Sequence, residues 1–390
     1  VSIDRCTNVA DFRRRAQAML PAPMFHYIDG GADDEITLRR NTAAFDDLAL
    51  MPRVLVDVSR IDTATRLFGT TLAWPVFLSP TGMSRLFHHG KELAVARAAA
   101  KAGTLYSLST LGTTSIEDVA KASEGPKMFQ IYILKDRGLT AEFVARCKEA
   151  RYTALCLTVD APMSGNRERD FVHGMTMPPR FGFADLMSFA LRFRWSFAFV
   201  RDPDFRLANV AHRVDAIGRG TMPLMAYMNG QFDRTVTWAD VEWLRSQWDG
   251  PLVIKGLISV ADARRAKAAG ATAIMISNHG GRQLETAPAP VDCIAPIRDA
   301  LGDSIELICD GGIRRGTHVL KALALGANAC SIGRPYLYGL AAGGQAGVER
   351  VLSLLRQEVE RGMTLMGATR IADIDRSFVT PLRGAGTCAP

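Results

Sequence analysis

Eight consecutive residues, Ser277-Asn278-His279-Gly280-Gly281-Arg282-Gln283-Leu284, concentrate the groups best suited to chemistry. A histidine and an arginine stand three positions apart, beside two glycines. A guanidinium offers a two-pronged donor for a carboxylate, and a nearby imidazole can take a proton from the same molecule. Gly280 and Gly281 let the backbone turn sharply and come close to a flat ligand. Taken alone, the stretch also reads as a polar turn between a strand and a helix. The remainder of the chain separates the two readings.

The apolar run Ala273-Ile274-Met275-Ile276 leads directly into this stretch and reads as a buried strand. From residue 74 onward, short apolar runs of this kind alternate with amphipathic helical patterns. The runs are Pro75–Ser79, Thr104–Ser109, Lys127–Tyr132, Ala154–Asp160, Pro251–Lys255, Ala273–Ser277, Glu306–Asp310 and Ala329–Gly333. Eight strands alternating with helices predict an α/β protein, a parallel sheet closed into a (β/α)8 TIM barrel. An open doubly wound sheet is the alternative, and the count of eight favours closure. The barrel is expected over 74–374, with 1–73 as a helical extension and cover and 375–390 as a tail. In the extension, Asp11 to Leu20 reads as a helix stopped by Pro21 and Pro23. Met51 to Val58, with its β-branched residues, is expected to be a strand covering part of the barrel.

In a closed barrel the catalytic groups project from the C-terminal ends of the strands. Those ends carry Ser79-Pro80-Thr81-Gly82, Ser107-Leu108-Ser109, Gln130-Ile131-Tyr132 and Thr158-Val159-Asp160 on the first four strands. The last four deliver Lys255, Ser277-Asn278-His279, Asp310-Gly311-Gly312-Ile313-Arg314 and Ile332-Gly333-Arg334. Polar residues collect wherever loops begin, but a Lys, a His, two Asp, two Arg and a Tyr on one rim point to a functional mouth. Glycine-rich turns after strands seven and eight, each opening a helix, fit the phosphate site common in this fold.

The rhythm breaks once, between strands four and five. Residues 163–235 are too many for a plain loop and are expected to form a lid, an insertion or a partly disordered segment. Phe181, Phe183, Phe189, Phe193, Trp195, Phe197 and Phe199 lie there, with Arg180, Arg192, Arg194, Arg201 and Arg206 among them. Such a mixture suits the interface of an acidic membrane. It suits equally a lid packed on the barrel or on a neighbouring subunit.

The composition of the 390 residues, 48% hydrophobic and 22% charged, is that of a soluble globular protein. A net charge of +7 fits an anionic substrate, an anionic cofactor or an acidic membrane surface. The basic residues are dispersed and no nucleic-acid-binding motif is visible, so nucleic acid is not an expected partner. The seven cysteines form no CxxC pair and read as buried thiols of a reducing compartment, not as a disulfide framework or a metal site. No run is long and apolar enough to cross a bilayer, and the first residues lack a signal-peptide pattern. The expected location is cytoplasmic, or peripheral on the cytoplasmic face of the inner membrane.

With these motifs in view, the chain resembles the FMN-dependent (S)-2-hydroxy-acid oxidases and dehydrogenases, from about Phe25 to Ile374. Ser-Asn-His-Gly-Gly-Arg-Gln-Leu is the most specific match. Phe129-Gln130-Ile131-Tyr132, Thr158-Val159-Asp160, Ile254-Lys255-Gly256, Asp310-Gly311-Gly312 and Gly333-Arg334-Pro335 support it in the family's order. The resemblance implies an FMN cofactor and an active-site base at His279, with Asp160 pairing its imidazole. It implies that Arg282 clamps the substrate carboxylate, helped by Tyr27 and Arg167, and that Tyr132 meets the substrate hydroxyl. Lys255 is implied beside the flavin N1–C2 edge. Pro80, Thr81, Ser109, Gln130, Thr158 and Ser277 are implied near the isoalloxazine, and Asp310, Gly312, Arg314, Gly333 and Arg334 at the ribityl phosphate. Gly82 stands where glycolate oxidase has alanine, facing the flavin, as in family dehydrogenases. Leu111 replaces a tryptophan that narrows the glycolate pocket, which admits a larger acid. Phe25-His26-Tyr27, Thr37-Leu38-Arg39-Arg40-Asn41 and Trp248-Asp249-Gly250-Pro251 look closest to the respiratory L-lactate dehydrogenases. L-lactate is thus the expected substrate and a quinone or cytochrome-type acceptor the expected oxidant. An oxygen-using oxidase and a mandelate-type dehydrogenase are the alternatives, and a homo-oligomer is implied.

Overall fold

The computed structural model of the protein describes residues 2–175, 179–202, 205–214 and 230–382. Eight strands, Val76–Thr81 (β1), Tyr106–Ser109 (β2), Lys127–Ile131 (β3), Ala154–Thr158 (β4), Leu252–Leu257 (β5), Ala273–Ser277 (β6), Glu306–Asp310 (β7) and Ala329–Ile332 (β8), close into a parallel barrel. Each pairs with its neighbours in chain order, and β8 returns to β1 with Cys330 beside Val76 and Ile332 beside Leu78. The expected closed barrel is therefore present, with each strand end within two residues of its predicted place. Helices cover the outside, so the strands are buried on both faces and read as unbroken apolar runs.

Side chains alternate between the barrel interior and the helix layer, and this alternation builds the site. Phe77, Met128, Cys156, Val253, Met275 and Ile308 belong to one interior cluster. Two residues further along the same strands, the same parity delivers Ser79, Gln130, Thr158, Lys255, Ser277 and Asp310. The residues between, Leu78, Phe129, Leu157, Ile254, Ile276 and Cys309, belong to the larger core facing the helices. The barrel thus has an apolar lower layer and a polar upper one. A hairpin, Thr65–Leu67 with Thr70–Leu72, adds Leu67, Phe68 and Leu72 to the lower layer. Its turn is fixed where the Phe68 amide donates to the Glu306 carboxylate, at 3.0 and 3.1 Å, at the start of β7.

Three details differ from the expectations. Pro21 and Pro23 do end the helix Val9–Met19, but they also start another, Ala22–Asp29, because proline is well suited to a first helical turn. Tyr27 therefore projects from a helix. Met51–Val58 is not a strand: Val54 and Leu55 are exposed at 78% and 104%, with no partner strand to satisfy their backbone. The strand lies just before it, Leu48–Leu50, antiparallel to Val379–Pro381. The residue pattern predicts the last barrel helix over Gln345–Met366; it instead runs Arg334–Met366 and is broken by non-helical Gly343 and Gly344.

The described part of the segment between β4 and β5 is helical, over Glu168–Val172, Phe183–Leu191, Phe193–Arg201 and Ala211–Val214. Residues 176–178, 203–204 and 215–229 lie outside the described residues, as do 383–390 with Cys388. The other six cysteines are buried and free. Helix Phe193–Arg201 docks on the loop after β1. Trp195 Nε1 donates to the Leu86 carbonyl at 2.9 Å, and the Arg85 guanidinium donates to the carbonyls of Ala198 and Asp202.

Candidate active site

His279 follows β6 in the left-handed backbone region, with φ at 58°. A non-glycine residue holds that conformation only where its surroundings fix it. Here its amide donates to Ser277 Oγ at 3.0 Å, and its Nδ1 lies 2.8 Å from Asp160 Oδ1. Since a carboxylate accepts, Nδ1 carries the proton, and Nε2 is left as the basic nitrogen on the cavity side. Burial pulls the imidazole below its ordinary pKa, and Lys255 and Arg167 act the same way; the opposing pull of Asp160 does not overcome them. Burial alone would raise Asp160, but His279 and Lys255 hold it low, so the carboxylate stays ionised.

Asp160 reaches this place because residue 256 is glycine. Gly256 sits at φ 106°, and a Cβ there would lie 2.6 Å from both Cβ and Cγ of Asp160.

Lys255 is fixed from the interior. Its ammonium donates to Ser277 Oγ at 3.0 Å and pairs with Asp310 Oδ2 at 3.2 Å. Asp310 in turn accepts from Ser79, Ser277 and Ser331 hydroxyls at 2.7, 2.7 and 2.5 Å. Burial works against the charge on Lys255, but Asp310 and Asp160 outweigh it and raise its pKa.

Arg282 is buried and turned toward the N-terminal helix, where its Nη1 donates to the carbonyls of Tyr27 and Gly30 at 2.8 and 2.9 Å. Its carbon centre lies 5.1 Å from the Tyr27 ring centroid. Among the described residues no carboxylate pairs with it. Burial, with Arg167 and Arg334 nearby, lowers its proton affinity, as expected of a cation that lacks its anion.

A cavity of about 1100 Å³ opens over these groups. It is larger than the roughly 300–1,000 Å³ of a pocket for one drug-sized molecule, so it can hold a cofactor and a substrate together. Its floor is lined by Pro80, Thr81, Gly82, Ser109, Gln130, Thr158 and Lys255. Tyr27, Leu111, Tyr132, Arg167, His279 and Arg282 line it too, as do Asp310, Gly312, Arg314, Gly333 and Arg334 toward its glycine-rich end. Asp160 and Ser277 stand behind the wall, holding His279 and Lys255. Ser277 is thus a support and not part of the lining. Arg334 also differs from a free anion clamp: its Nε, Nη1 and Nη2 donate to the carbonyls of Ile28, Gly280 and Gly30.

Orphaned polar atoms show what the floor is shaped for. Gln130 Nε2 and Thr158 Oγ1 are buried with no protein partner. Together with the Lys255 ammonium they form a row across β3, β4 and β5, suited to the polar edge of a flat heterocycle. The flavin of FMN fits such a row, and the glycine turns with Arg314 fit its phosphate end.

The family model for FMN-dependent dehydrogenase matches residues 16–381. The chain belongs to the FMN-dependent dehydrogenase family. Its cofactor is FMN. It is 44% identical to an L-lactate oxidase of Nostoc sp. over 376 residues, covering 95% of this chain and 97% of that protein. It is 42% identical to an L-lactate dehydrogenase of Xanthomonas axonopodis pv. citri over 371 residues, 94% of each. Among solved structures, the monotopic membrane protein (S)-mandelate dehydrogenase superposes with a TM-score of 0.93 at 36% identity, covering 97% of this chain and 100% of that one.

Several residues of this site were given no role of their own by the sequence reasoning. Ser79 and Ser331 anchor Asp310. Gln283 ties the loop after β4 to the site, donating to the carbonyls of Asp160 and Met163 and accepting from the Gly165 amide. Its place next to Arg282 was the available signal. Asp170, buried in the cavity wall, had none.

Gly256→Ala is expected to push Asp160 off the imidazole. The anaerobic rate of flavin reduction should fall by at least about tenfold while the protein retains FMN, measured by stopped-flow absorbance. An unchanged rate would show that the close approach at residue 256 is dispensable.

Proposed function

We propose that this site oxidises an (S)-2-hydroxy acid to the 2-oxo acid, with L-lactate as the leading substrate. The observation that carries the reading is the meeting, in one cavity, of a carboxylate-backed imidazole and a buried guanidinium that lacks an anion. When bound, FMN supplies the two-electron acceptor. Arg282, with Tyr27 and Arg167, binds the acid's carboxylate and so fixes the carbon to be oxidised. Tyr132, kept protonated by burial, hydrogen-bonds the substrate hydroxyl. His279 Nε2 takes the proton from the α-carbon or the hydroxyl, and Asp160 steadies the imidazolium that results. Lys255 places a fixed positive charge where the reaction deposits negative charge. Pro80, Thr81, Gly82, Ser109, Gln130 and Thr158 are assigned to the flavin ring, and Arg314, with Gly312, Gly333 and Arg334, to the phosphate end. Asp310 is assigned to positioning Lys255.

The acceptor we favour is a quinone or a cytochrome-type partner met at a membrane surface. On helix Phe193–Arg201, Phe193, Phe197 and Val200 share one face and are 67–76% exposed. Phe183, Leu186, Met187 and Leu191 extend that surface from the preceding helix, and Arg180, Arg194 and Arg201 are exposed around it. An apolar face ringed with arginines suits the headgroup boundary of an acidic bilayer. No helix among the described residues is long and apolar enough to cross a membrane. The L-lactate oxidase relative supports a second reading, with oxygen as acceptor.

Because His279 must be neutral to accept a proton and burial holds its pKa below the ordinary value of about 6.5, protonation of the imidazole should lower kcat/KM for L-lactate on the acid side of that value. His279→Gln should slow anaerobic flavin reduction by about 10²–10⁴-fold. Reduction at the wild-type rate would remove His279 from its role.

Reoxidation of the reduced enzyme by air should be slow and by a soluble quinone fast, in stopped-flow mixing. A fast reaction with oxygen would assign an oxidase.

Replacing Phe193 and Phe197 by Asp should release the protein from vesicles containing anionic lipid, read by flotation. Equal flotation of the variant and the parent would reject this surface.

A further inference from the structure

Among the described residues, Asp170 is the one carboxyl in the cavity wall to which the chemistry above gives no task. It lies on the short helix Glu168–Val172, is 9% exposed, and lines the cavity with Arg167 and Arg282. Its Oδ1 is buried with no hydrogen-bond partner. Its placement is enforced from behind. Arg169, the preceding residue, donates to Glu35 at 3.0 Å, to Asp29 at 3.1 Å and to His26 Nδ1, and so ties this helix to the one bearing Tyr27. The Asp170 amide and carbonyl are engaged as well, with the Arg167 carbonyl at 2.9 Å and the Met175 amide at 2.7 Å.

Neither Arg282 nor Arg167 has a carboxylate within ion-pair distance among the described residues. Asp170 is near enough to act on both guanidiniums and pairs with neither. A carboxyl oxygen held in that way costs free energy, since it gives up water without gaining a donor.

We infer that Asp170 is a built-in counter-charge of the substrate's carboxylate site, a like charge that the bound acid must approach and that limits how tightly the two arginines hold it. The inference rests on the 2-hydroxy-acid reading and adds an affinity-setting residue to it. An acid held by two guanidiniums in a buried site would leave slowly as product; a fixed carboxyl beside it weakens substrate and product alike. The groups that face Asp170 are Arg282 from the loop after β6, and Arg167, Arg169 and His173 from its own segment. Burial raises the Asp170 pKa against the pull of those cations, and a second carboxylate arriving beside it raises it further. Protonation removes the repulsion, so binding of the acid tightens as pH falls.

The test is Asp170→Asn in the FMN-loaded full chain, with L-lactate as substrate and its enantiomer D-lactate as competitive probe. KM for L-lactate and the inhibition constant of D-lactate should both fall, by roughly tenfold for a like charge removed from beside a bound anion. Their tightening toward acid pH should be lost in the variant. Asp170→Glu, which keeps the charge, should not tighten either ligand. A residue serving only to hold the arginines in place would give the opposite sign, weaker binding in Asp170→Asn. Weaker or unchanged binding overturns the inference. If Asp170→Asn does not fold, the wild-type inhibition constant of D-lactate decides: a constant that does not fall as pH is lowered also overturns it. Anaerobic reduction of the flavin by L-lactate checks the underlying reading separately. Reduction with unmoved constants sinks the role of Asp170 alone, and no reduction by any 2-hydroxy acid removes both.

Discussion

The structure depends on keeping a small set of charges ionised inside a barrel that is otherwise apolar. Lys255, Asp310 and Asp160 are close enough to compensate one another, and the neutral His279 donates to Asp160. An isolated buried ammonium or carboxylate would lose its charge. Here Asp310 receives three hydroxyl donors as well as the ammonium, so it stays anionic and keeps Lys255 cationic. The cluster needs strands to bring Ser79, Ser277 and Ser331 to one point, and only a closed sheet places the first, sixth and eighth strands around a common centre. Fold and electrostatics are one constraint viewed at two scales.

The same constraint explains what could be read from the residues alone. On six strands an apolar interior residue is followed two positions later by a polar one, from Phe77 and Ser79 to Ile308 and Asp310. That local signal marks both the barrel and the height of its polar layer. The His279 and Arg282 spacing marks the mouth in the same way. Contacts between distant segments carry no such mark. Nothing near Ser331 announces that its hydroxyl meets Asp310, and nothing near Asp170 announces the Arg282 guanidinium. The Pro21 and Pro23 pair reads as a stop, and the helix they open shows only once its far face is packed. The strand expected at Met51–Val58 failed because β-branched residues favour a strand only where a partner edge is available.

The segment between β4 and β5 serves two surfaces with one helix. Trp195 and Phe199 turn inward to line the cavity, Val200 lies exposed at its mouth, and Phe193 and Phe197 turn out to solvent. The inward face is secured to the loop that follows Gly82, through the Leu86 carbonyl and Arg85. Whatever rests on the outer face is thereby joined by a single turn of helix to the wall beside the cofactor floor.

Tyr27 enters the cavity from a helix that precedes the barrel, and the carbonyls of Tyr27 and Gly30 hold Arg282. The polar floor is therefore made by strands, whereas Tyr27 and Arg167, which we assign to the acid, come from a peripheral helix and from the excursion between β4 and β5. Such a division of labour lets evolution retune which molecule is admitted without disturbing the electron-handling machinery beneath it. One scaffold can in this way diversify its diet while its inner chemistry stands still.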